Sequence, residues 1–416
     1  MVETFERRDG VLFCEGVPIP EIVAEHSTPL YVYSKNAIRT RFHELSDALG
    51  VQPHLIAYSV KANGNLAILR ALAEMGAGAD IVSVGELYRA RLAGIPADRI
   101  VYSGVGKTVP ELAAALAEGI YGFNVESEGE LRSLSELAAA TGKVAPIALR
   151  VNPDIDTPTP HAYTRTGHAA TKFGIPMQDA LRMYKLAAEL PGIQVRGVDM
   201  HIGSQILAVE PYQTAVEQAL GLIQKLQADG HDLEYVDLGG GLGISYSGGE
   251  GISAETFAQT ILAELKGSGL RLILEPGRYI VGEAGILVTR ILYVKEGGGK
   301  RFVITDAGMN DLLRPSHYAG YHAVEPVESR GREHQRVDVV GPICETGDFL
   351  ALDRDVESVE PGELLALRTT GAYGFSMSST YNQRPRPAEV MVDGAEVSLV
   401  RRRETLEDLV AAELDL

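Results

Sequence analysis

Eight short apolar runs dominate the sequence between Pro53 and Pro276, and each is followed by a longer segment with helical spacing. The runs are rich in Val, Ile and Leu, as is typical of strands that are buried on both faces. We predict strands over residues 54–60, 78–83, 99–104, 119–125, 145–151, 194–202, 234–240 and 270–276. Eight strand-then-helix units match a (β/α)8 barrel, which carries its chemistry at the C-terminal strand ends.

The pattern changes after Gly282 to strand-like segments separated by Gly and Pro, without long helical stretches between them. Residues 1–30 also contain short strand-like pieces, and we assign them to the same domain. The sequence therefore predicts an α/β fold in two parts. A TIM-type (β/α)8 barrel occupies residues 31–281, and residues 1–30 with 282–416 form a mostly β, sandwich- or barrel-like C-terminal domain.

Composition restricts the class of protein. The 416 residues are 45% hydrophobic and 23% charged, which excludes a largely disordered chain. Lys and Arg total 38 against 56 Asp and Glu, and this net charge of -18 disfavours binding to nucleic acid or to anionic lipid. No apolar run is long enough to span a membrane, and the charged N-terminal segment does not resemble a signal peptide. We expect a cytoplasmic protein without nucleic-acid or membrane partners.

The cysteines and histidines give no sign of a metal site. Two cysteines, Cys14 and Cys344, are too few for a disulfide framework or a four-cysteine zinc site, and we interpret each as a small buried hydrophobic residue. The ten histidines include no HExxH pair, and Cys344 has no second thiol or histidine at ligand spacing. We predict that the protein binds no metal.

Several predicted strands end in residues that can carry chemistry. Lys61 follows the first run and is a candidate to form a Schiff base, although a lysine that only extends into solvent is the alternative. Gly239, Gly240 and Gly241 follow the seventh run and let backbone N–H groups approach an anion, and Ser204 after the sixth run adds a hydroxyl group. Taken alone, the glycine run also fits a plain turn.

The eighth run ends in Glu275, and Arg278 follows after the Pro276-Gly277 turn. The carboxylate either pairs with the arginine alone or holds a pyridine nitrogen protonated, as pyridoxal-phosphate enzymes require. His201, at the end of the sixth run, either stacks on the same ring or is structural. An amine, an anion-binding loop, a ring-nitrogen partner and a stacking ring at four strand ends together favour pyridoxal 5'-phosphate as the cofactor.

Ten short motifs occur in order along nearly the whole chain. They are SVKANGN at 59–65, GADIVSVGE at 78–86, RVNPDID at 150–156, KFGI at 172–175, HIGSQ at 201–205, DLGGGLGI at 237–244, EPGR at 275–278, DAGMNDLLRPSHY at 306–318, GPICETGD at 341–348 and GAYGFSMSSTYN at 371–382. Through these motifs the chain closely resembles the diaminopimelate decarboxylases, which belong to the alanine-racemase-like class of pyridoxal-phosphate enzymes. The segment 157–175, TPTPHAYTRTGHAATKFGI, differs from the more polar run expected in such enzymes.

The resemblance implies a set of cofactor-binding residues. Lys61 would hold the cofactor as a Schiff base, Asp80 and His201 would lie beside the Schiff base and the ring, and Glu275 would bind the pyridine nitrogen. The phosphate would be bound by Ser204, Gly240, Gly241, Gly277, Arg278 and Tyr373.

The resemblance also implies a function, which is decarboxylation of meso-2,6-diaminopimelate to L-lysine and carbon dioxide as the final step of lysine biosynthesis. Cys344 would protonate the carbanionic intermediate in the active site of the partner subunit of a homodimer. The substrate would be bound by Arg278, Arg314, Tyr318, Glu345 and Tyr373. The alternatives are a decarboxylase of another basic amino acid or of carboxynorspermidine, a pyridoxal-phosphate-dependent racemase, and a non-catalytic protein that binds the cofactor.

Overall fold

The computed structural model describes residues 4–155, 171–249 and 251–414. Most of the unusual 157–175 segment therefore lies outside the described residues. The chain divides into two compact units. The β unit comprises Met1–Thr40, Ser245–Gly249 and Ile280–Leu416, and the barrel unit comprises Arg41–Ile244 and Glu250–Tyr279. The domain boundaries expected from the sequence, after residues 30 and 281, stay a prediction.

The β unit begins with a small antiparallel sheet of three strands, β1 (Phe5–Arg8), β2 (Val11–Cys14) and β3 (Val17–Pro18). Helix α1 (Ile19–His26) and strand β4 (Leu30–Ser34) follow. Helix α2 (Lys35–Leu49) then connects to the first strand of the barrel.

The barrel unit contains a closed ring of eight parallel strands. They are β5 (His54–Ser59), β6 (Gly78–Ile81), β7 (Ile100–Tyr102), β8 (Gly122–Val125), β9 (Ala145–Asn152), β11 (Ile193–Asp199), β12 (Tyr235–Asp237) and β13 (Arg271–Leu274), and the short β10 (Ile175–Pro176) pairs with β9. Each strand pairs with the next, and β13 pairs with β5, which closes the ring. Every ring strand overlaps one predicted run, so the predicted (β/α)8 barrel is confirmed.

A helix follows each ring strand, and local sequence signals fix several helix ends. The helices are α3 (Leu66–Glu74), α4 (Val84–Leu92), α5 (Val109–Glu118), α6 (Glu128–Thr141), α7 (Ala180–Glu189), α8 (Glu210–Ala228), α9 (Ala254–Leu265) and α10 (Arg278–Val281). The hydroxyls of Ser83 and Ser127 cap α4 and α6 by accepting a backbone N–H group. Gly119 and Gly142 end α5 and α6 in the left-handed conformation. Among the described residues, no helix has the length and apolar character needed to cross a membrane.

The barrel interior has an apolar part and a polar part. The apolar cluster consists of Leu55, Ala57, Val101, Tyr121, Ala148, Tyr235 and Ile273. The polar part lies near the C-terminal strand ends, where five buried side chains come from five different strands: Asp80, Asn124, Arg150, Asp199 and Asp237. Burial of so many charged groups is costly unless they are used, so this end of the barrel is the natural place for chemistry.

The larger sheet of the β unit is formed by β4 with eight later strands. These are β14 (Gly285–Gly297), β15 (Lys300–Thr305), β16 (Val324–Pro326), β17 (His334–Val340), β18 (Phe349–Glu357), β19 (Leu364–Leu367), β20 (Ala388–Asp393) and β21 (Glu396–Arg401). The main strand order is β18-β17-β15-β14-β4-β20-β21, and β19 pairs with β14 and β16. Two short helices, α11 (Arg314–Tyr318) and α12 (Leu406–Leu414), complete the unit. The predicted mostly β region, with the N-terminal segment joined to it, is confirmed.

One apolar core joins the N-terminal strands to this sheet. It includes Leu12, Cys14, Val32, Val288 and Val390, all of them buried. Burial raises the pKa of the Cys14 thiol far above its ordinary value, so this cysteine behaves as the predicted small hydrophobic residue.

Candidate active site

Lys61 lies just beyond the end of β5 and forms an ion pair with Asp80 on the neighbouring strand β6. The Lys61 Nζ atom is 2.6 Å from Asp80 Oδ2. The Ser59 hydroxyl donates to the same oxygen, also at 2.6 Å. The Lys61 side chain is 39% exposed whereas the Asp80 side chain is fully buried. A reachable amine is thus held in place by a buried carboxylate at the C-terminal end of the barrel.

Glu275 follows strand β13 and is bound by polar groups from across the barrel. Its Oε1 atom accepts hydrogen bonds from Ser103 Oγ at 3.1 Å and from Asn124 Nδ2 at 3.2 Å. The same Asn124 nitrogen donates to Asp237 Oδ2 at 3.1 Å. Asn124 is on β8 and Asp237 is on β12, which are not neighbours in the ring, so this contact crosses the barrel interior. Three residues from three other strand ends therefore fix the position of the Glu275 carboxyl group.

The surroundings of the carboxyl groups in this part of the barrel disfavour their ionised forms. Burial is the largest cause that raises the pKa of Glu275 well above its ordinary range, and the charges of Asp237 and Asp80 add to it. Burial, followed by the charge of Asp199, raises the pKa of Asp237 to about 7. Lys61 and Arg150 oppose the shift at Glu275. A further positive charge beside Glu275 would stabilise its ionised form.

His201 follows strand β11 and is held in one neutral form by the glycine loop. Its Nδ1 atom accepts a hydrogen bond from the Gly240 backbone N–H at 3.0 Å, so the ring proton is on Nε2. Burial is the main cause that lowers the pKa of His201 well below its ordinary value, and the charges of Arg150 and Lys61 lower it further. A neutral, fixed imidazole is suited to lie against a flat, positively charged ring.

The three consecutive glycines are required by close packing. A Cβ atom on Gly239 would lie 2.2 Å from His201 Nδ1, and one on Gly240 would lie 2.1 Å from the carbonyl oxygen of Glu275. A Cβ atom on Gly241 would lie 2.3 Å from the carbonyl oxygen of Gly203. The loop thus brings the chain segments after β11, β12 and β13 into direct contact, as an anion site built from backbone groups needs.

Ser204 and Arg278 add side-chain donors in the same unit. The Arg278 Nη2 atom is 3.3 Å from Ser204 Oγ, and the Arg278 side chain is buried. Gly277, one residue earlier, packs against the first strand end, because its Cβ position is 2.9 Å from Ala62 Cβ. The turn that carries Arg278 is therefore fixed next to the segment that carries Lys61.

The residues present fit pyridoxal 5'-phosphate. The amine of Lys61 matches the aldehyde, Ser204 with Arg278 and the glycine loop match the phosphate, and Glu275 matches the ring nitrogen. Asp80 gives a further indication, since its buried Oδ1 atom has no hydrogen-bond partner within the described residues. A buried carboxylate oxygen without a donor is costly unless a bound group supplies one. In the same residues, no three His, Cys, Asp or Glu side chains form a group that could hold a metal ion.

The β unit holds the remaining predicted site residues. Arg314 begins helix α11 and is buried, and its Nη1 atom is 2.8 Å from His322 Nε2. Tyr318, at the end of the same short helix, is half-buried. Tyr373 has a positive φ of 58°, which is unusual for a residue with a side chain. The roles of these three residues at the substrate and the phosphate stay predictions.

Cys344 lies on an exposed loop, so its interpretation as a buried hydrophobic residue is wrong. The loop is anchored by the buried carboxylate of Asp348, which accepts the backbone N–H groups of Ile343 and Met309 at 2.6 Å each. The side chain of Glu345 is hydrogen-bonded to the Tyr381 hydroxyl, and this bond raises the pKa of Tyr381. Exposure of this thiol could not be read from the residue pattern, because the three residues before it, Gly-Pro-Ile at 341–343, carry no charge.

Several residues that complete the barrel site were not singled out from the sequence. Ser103, Asn124 and Asp237 hold Glu275, and Asp199 adds negative charge. The available signal was a polar residue at or near the end of an otherwise apolar run. That signal shows that such a residue faces polar surroundings, but not which side chain it meets across the barrel.

The fold and this site define a pyridoxal-phosphate-dependent decarboxylase. The family model for the "Pyridoxal-dependent decarboxylase, pyridoxal binding domain" matches residues 35–282. The chain is 50% identical to the diaminopimelate decarboxylase of Aquifex aeolicus (strain VF5), across 99% of this chain and 97% of that protein. It is 48% identical to the diaminopimelate decarboxylase of Pseudomonas aeruginosa, across 99% of each. The chain belongs to the diaminopimelate decarboxylase family, as its motifs indicated.

Solved structures agree with this assignment. The diaminopimelate decarboxylase of Helicobacter pylori, complexed with L-lysine, matches with a TM-score of 0.92 at 42% identity, across 95% of this chain and 99% of that one. A lysine/ornithine decarboxylase of Vibrio vulnificus matches with a TM-score of 0.80 at 22% identity, across 90% of this chain and 97% of that one, which indicates a shared fold. The predicted enzyme class and the predicted cofactor, pyridoxal 5'-phosphate, are confirmed.

Proposed function

We propose that this chain decarboxylates meso-2,6-diaminopimelate to L-lysine and carbon dioxide, the final step of lysine biosynthesis, in the cytoplasm. The observation that carries the proposal is the Lys61–Asp80 ion pair at the C-terminal end of the barrel. It is supported by the similarity of the chain to diaminopimelate decarboxylases over nearly their full length. L-lysine, the ligand of the Helicobacter pylori structure, is the product that this reaction would release.

The barrel residues would bind the cofactor and hold its charges. Lys61 Nζ would hold the cofactor through its aldehyde group, and Asp80 would hold the lysine amine in place. Glu275 would keep a proton on the ring nitrogen, and His201 would lie against the ring. When bound, the cofactor supplies an electron-withdrawing ring that accepts the electron pair left behind as carbon dioxide departs. Ser204, Arg278, Gly277 and the Gly240–Gly241 loop, with Tyr373, would bind the phosphate.

Cys344 would return a proton to the carbon that loses its carboxylate. The S–H bond breaks, a C–H bond forms at that carbon, and the thiolate regains a proton from solvent. An exposed thiol on an anchored loop is suited to act outside its own unit. In a homodimer with shared active sites, this loop would serve the barrel of the partner subunit.

Specificity would depend on the end of the substrate that does not react. That end carries a carboxylate and an ammonium group in diaminopimelate. Arg278 and Arg314 would bind the carboxylate with Tyr318, and Glu345 would pair with the ammonium group. A diamine-type substrate lacks this carboxylate and would lose the charged hydrogen bonds to both arginines.

The proposal is tested by measuring kcat/KM for carbon dioxide release from meso-diaminopimelate, L-ornithine, L-lysine and carboxynorspermidine. We expect meso-diaminopimelate to be preferred by at least about 100-fold, since two charged contacts are lost with the other amino acids. Preference for a substrate without the distal carboxylate would overturn the proposed substrate. Recovery of epimerised substrate with both carboxylates intact would instead indicate a racemase.

A further inference from the structure

The buried guanidinium of Arg314 is held by two side chains that lie elsewhere in the sequence. One is His322, a fully buried residue eight positions later, and the other is Tyr246. Tyr246 belongs to the short segment Ser245–Gly249, which is part of the β unit although the residues on both sides of it belong to the barrel unit. Three residues from two separate stretches of chain thus meet in one cluster.

The hydrogen bonds of His322 allow only one protonation state. Its Nδ1 atom is 2.8 Å from the backbone carbonyl oxygen of Arg368, and a carbonyl oxygen can only accept, so Nδ1 carries a proton. Its Nε2 atom is 2.8 Å from Arg314 Nη1, and a guanidinium can only donate, so Nε2 carries a lone pair. Both contacts require the same neutral tautomer. His322 therefore serves Arg314 as a fixed hydrogen-bond acceptor.

The aromatic ring of Tyr246 packs against the guanidinium of Arg314. The Arg314 Cζ atom lies 4.4 Å from the centre of the Tyr246 ring, in the arrangement of a cation–π contact. The His322 ring meets the same tyrosine edge-on, with 5.4 Å between ring centres and an angle of 86° between the rings. A directional hydrogen bond and an aromatic face thus both constrain the position of the arginine.

A fixed guanidinium matters because it binds a carboxylate best in one plane. Arg314 has five N–H donors in a rigid fork, and the bond to His322 uses one of them. A carboxylate binds two parallel donors of such a fork only if the fork has the correct orientation before binding. Without the acceptor, a long arginine side chain samples several rotamers and its affinity for a carboxylate falls.

We propose that His322 is a positioning residue that orients Arg314 and thereby determines specificity for the distal carboxylate of the substrate. The inference rests on the proposed function, in which Arg314 binds that carboxylate. It assigns to His322 a task in substrate selection, although the imidazole itself touches no substrate. Tyr246, which precedes Arg314 in the sequence, supports the same orientation.

The test compares two ligands that differ only in the carboxylate. L-lysine has this group, and cadaverine is the same chain without it. Dissociation constants of both are measured on the protein loaded with pyridoxal phosphate, with the cofactor absorbance as the signal. The variants are His322→Leu, which removes the acceptor, and His322→Gln, which places an amide oxygen near the position of Nε2.

For His322→Leu we expect the dissociation constant of L-lysine to rise about 10- to 100-fold, because a hydrogen bond to a charged group is lost. The constant for cadaverine should change less than about twofold, and His322→Gln should restore most of the affinity for L-lysine. In turnover, the loss should fall on KM for meso-diaminopimelate more than on kcat, since the distal carboxylate is bound before and during the reaction.

Equal weakening of L-lysine and cadaverine would overturn the inference, because it would indicate a purely structural role. Unchanged binding of L-lysine would overturn it as well. If His322→Leu does not fold, His322→Asn is measured instead, because asparagine keeps a donor for the Arg368 carbonyl but is too short to reach Arg314. Failure of the wild type to release carbon dioxide would reject the proposed function. This result is distinct from the ligand comparison, which needs no turnover.

Discussion

Replacing Gly240 by alanine tests whether the glycine loop is shaped for the cofactor phosphate. The added Cβ would lie 2.1 Å from the carbonyl oxygen of Glu275, whereas ordinary van der Waals contact begins at 3.4 Å. The added Cβ would therefore be 3.4 minus 2.1, or 1.3 Å, too close to this oxygen. The clash is with backbone atoms and not with a side chain that can rotate away. Either the loop or the segment carrying Glu275 must therefore move.

The size of the effect follows from the cost of overpacking. A methyl group forced into a packed site costs about 1–3 kcal/mol. If the loop relieves this strain by moving away from the phosphate position, the affinity for pyridoxal phosphate falls by about 10- to 100-fold, at about 1.4 kcal/mol for each factor of ten. Backbone strain does not contribute, because Gly240, unlike Gly239 and Gly241, does not have a positive φ angle.

The assay is a titration of the cofactor-free protein with pyridoxal phosphate, followed by absorbance, with circular dichroism as a check of folding. Gly221→Ala is the matched control, because Gly221 lies within α8 and its Cβ position has no neighbour within 4 Å. The control should bind the cofactor normally and be more stable by about 0.5–1 kcal/mol. A folded Gly240→Ala variant with unchanged cofactor affinity would refute the argument.

Three further predictions concern the barrel and the cysteine loop. Lys61→Ala should abolish the absorbance band of the lysine-bound cofactor and its trapping by borohydride; a persisting adduct would exclude Lys61. In the folded protein the pKa of Asp237 is raised from its ordinary value of 3.8 to about 7. The protonated carboxyl group therefore adds to the free energy of unfolding at low pH, and this contribution falls as pH rises towards 7. In urea unfolding of the cofactor-free protein, Asp237→Asn should therefore make this fall shallower by up to about 1.4 kcal/mol per pH unit, and parallel curves would contradict the shift. The Cys344→Ala variant should bind the cofactor but turn over slowly. If the subunits share active sites, mixing this variant with Lys61→Ala should restore up to about a quarter of the wild-type activity. Mixed dimers that recover no activity would contradict shared sites.

The barrel could be predicted because its signal is local and repeated. Each ring strand is short and contains Val, Ile or Leu, and the helix after it ends near a glycine or begins with a serine cap. The strand-end rule then located Lys61 and Glu275 in the correct part of the fold. Strand β18 carries no such signal, because its sequence FLALDRDVE contains several charges and its burial does not follow a strict alternation.

Contacts between distant segments could not be predicted in this way. The bond from Asn124 to Asp237 depends on the curvature that brings opposite strands together inside the ring. The contact of Tyr246 with Arg314 depends on a five-residue segment that belongs to the β unit although its chain neighbours do not. Neither fact is present in apolar spacing or in turn residues, which report only the near surroundings of a residue.

The most direct test of the proposed function is the product balance of one reaction. Purified protein loaded with pyridoxal phosphate is supplied with meso-diaminopimelate, and carbon dioxide and L-lysine are both quantified as the substrate disappears. We expect one molecule of each product for every molecule of substrate consumed. Consumption of substrate without carbon dioxide, or no consumption by protein that binds the cofactor, would contradict the assignment.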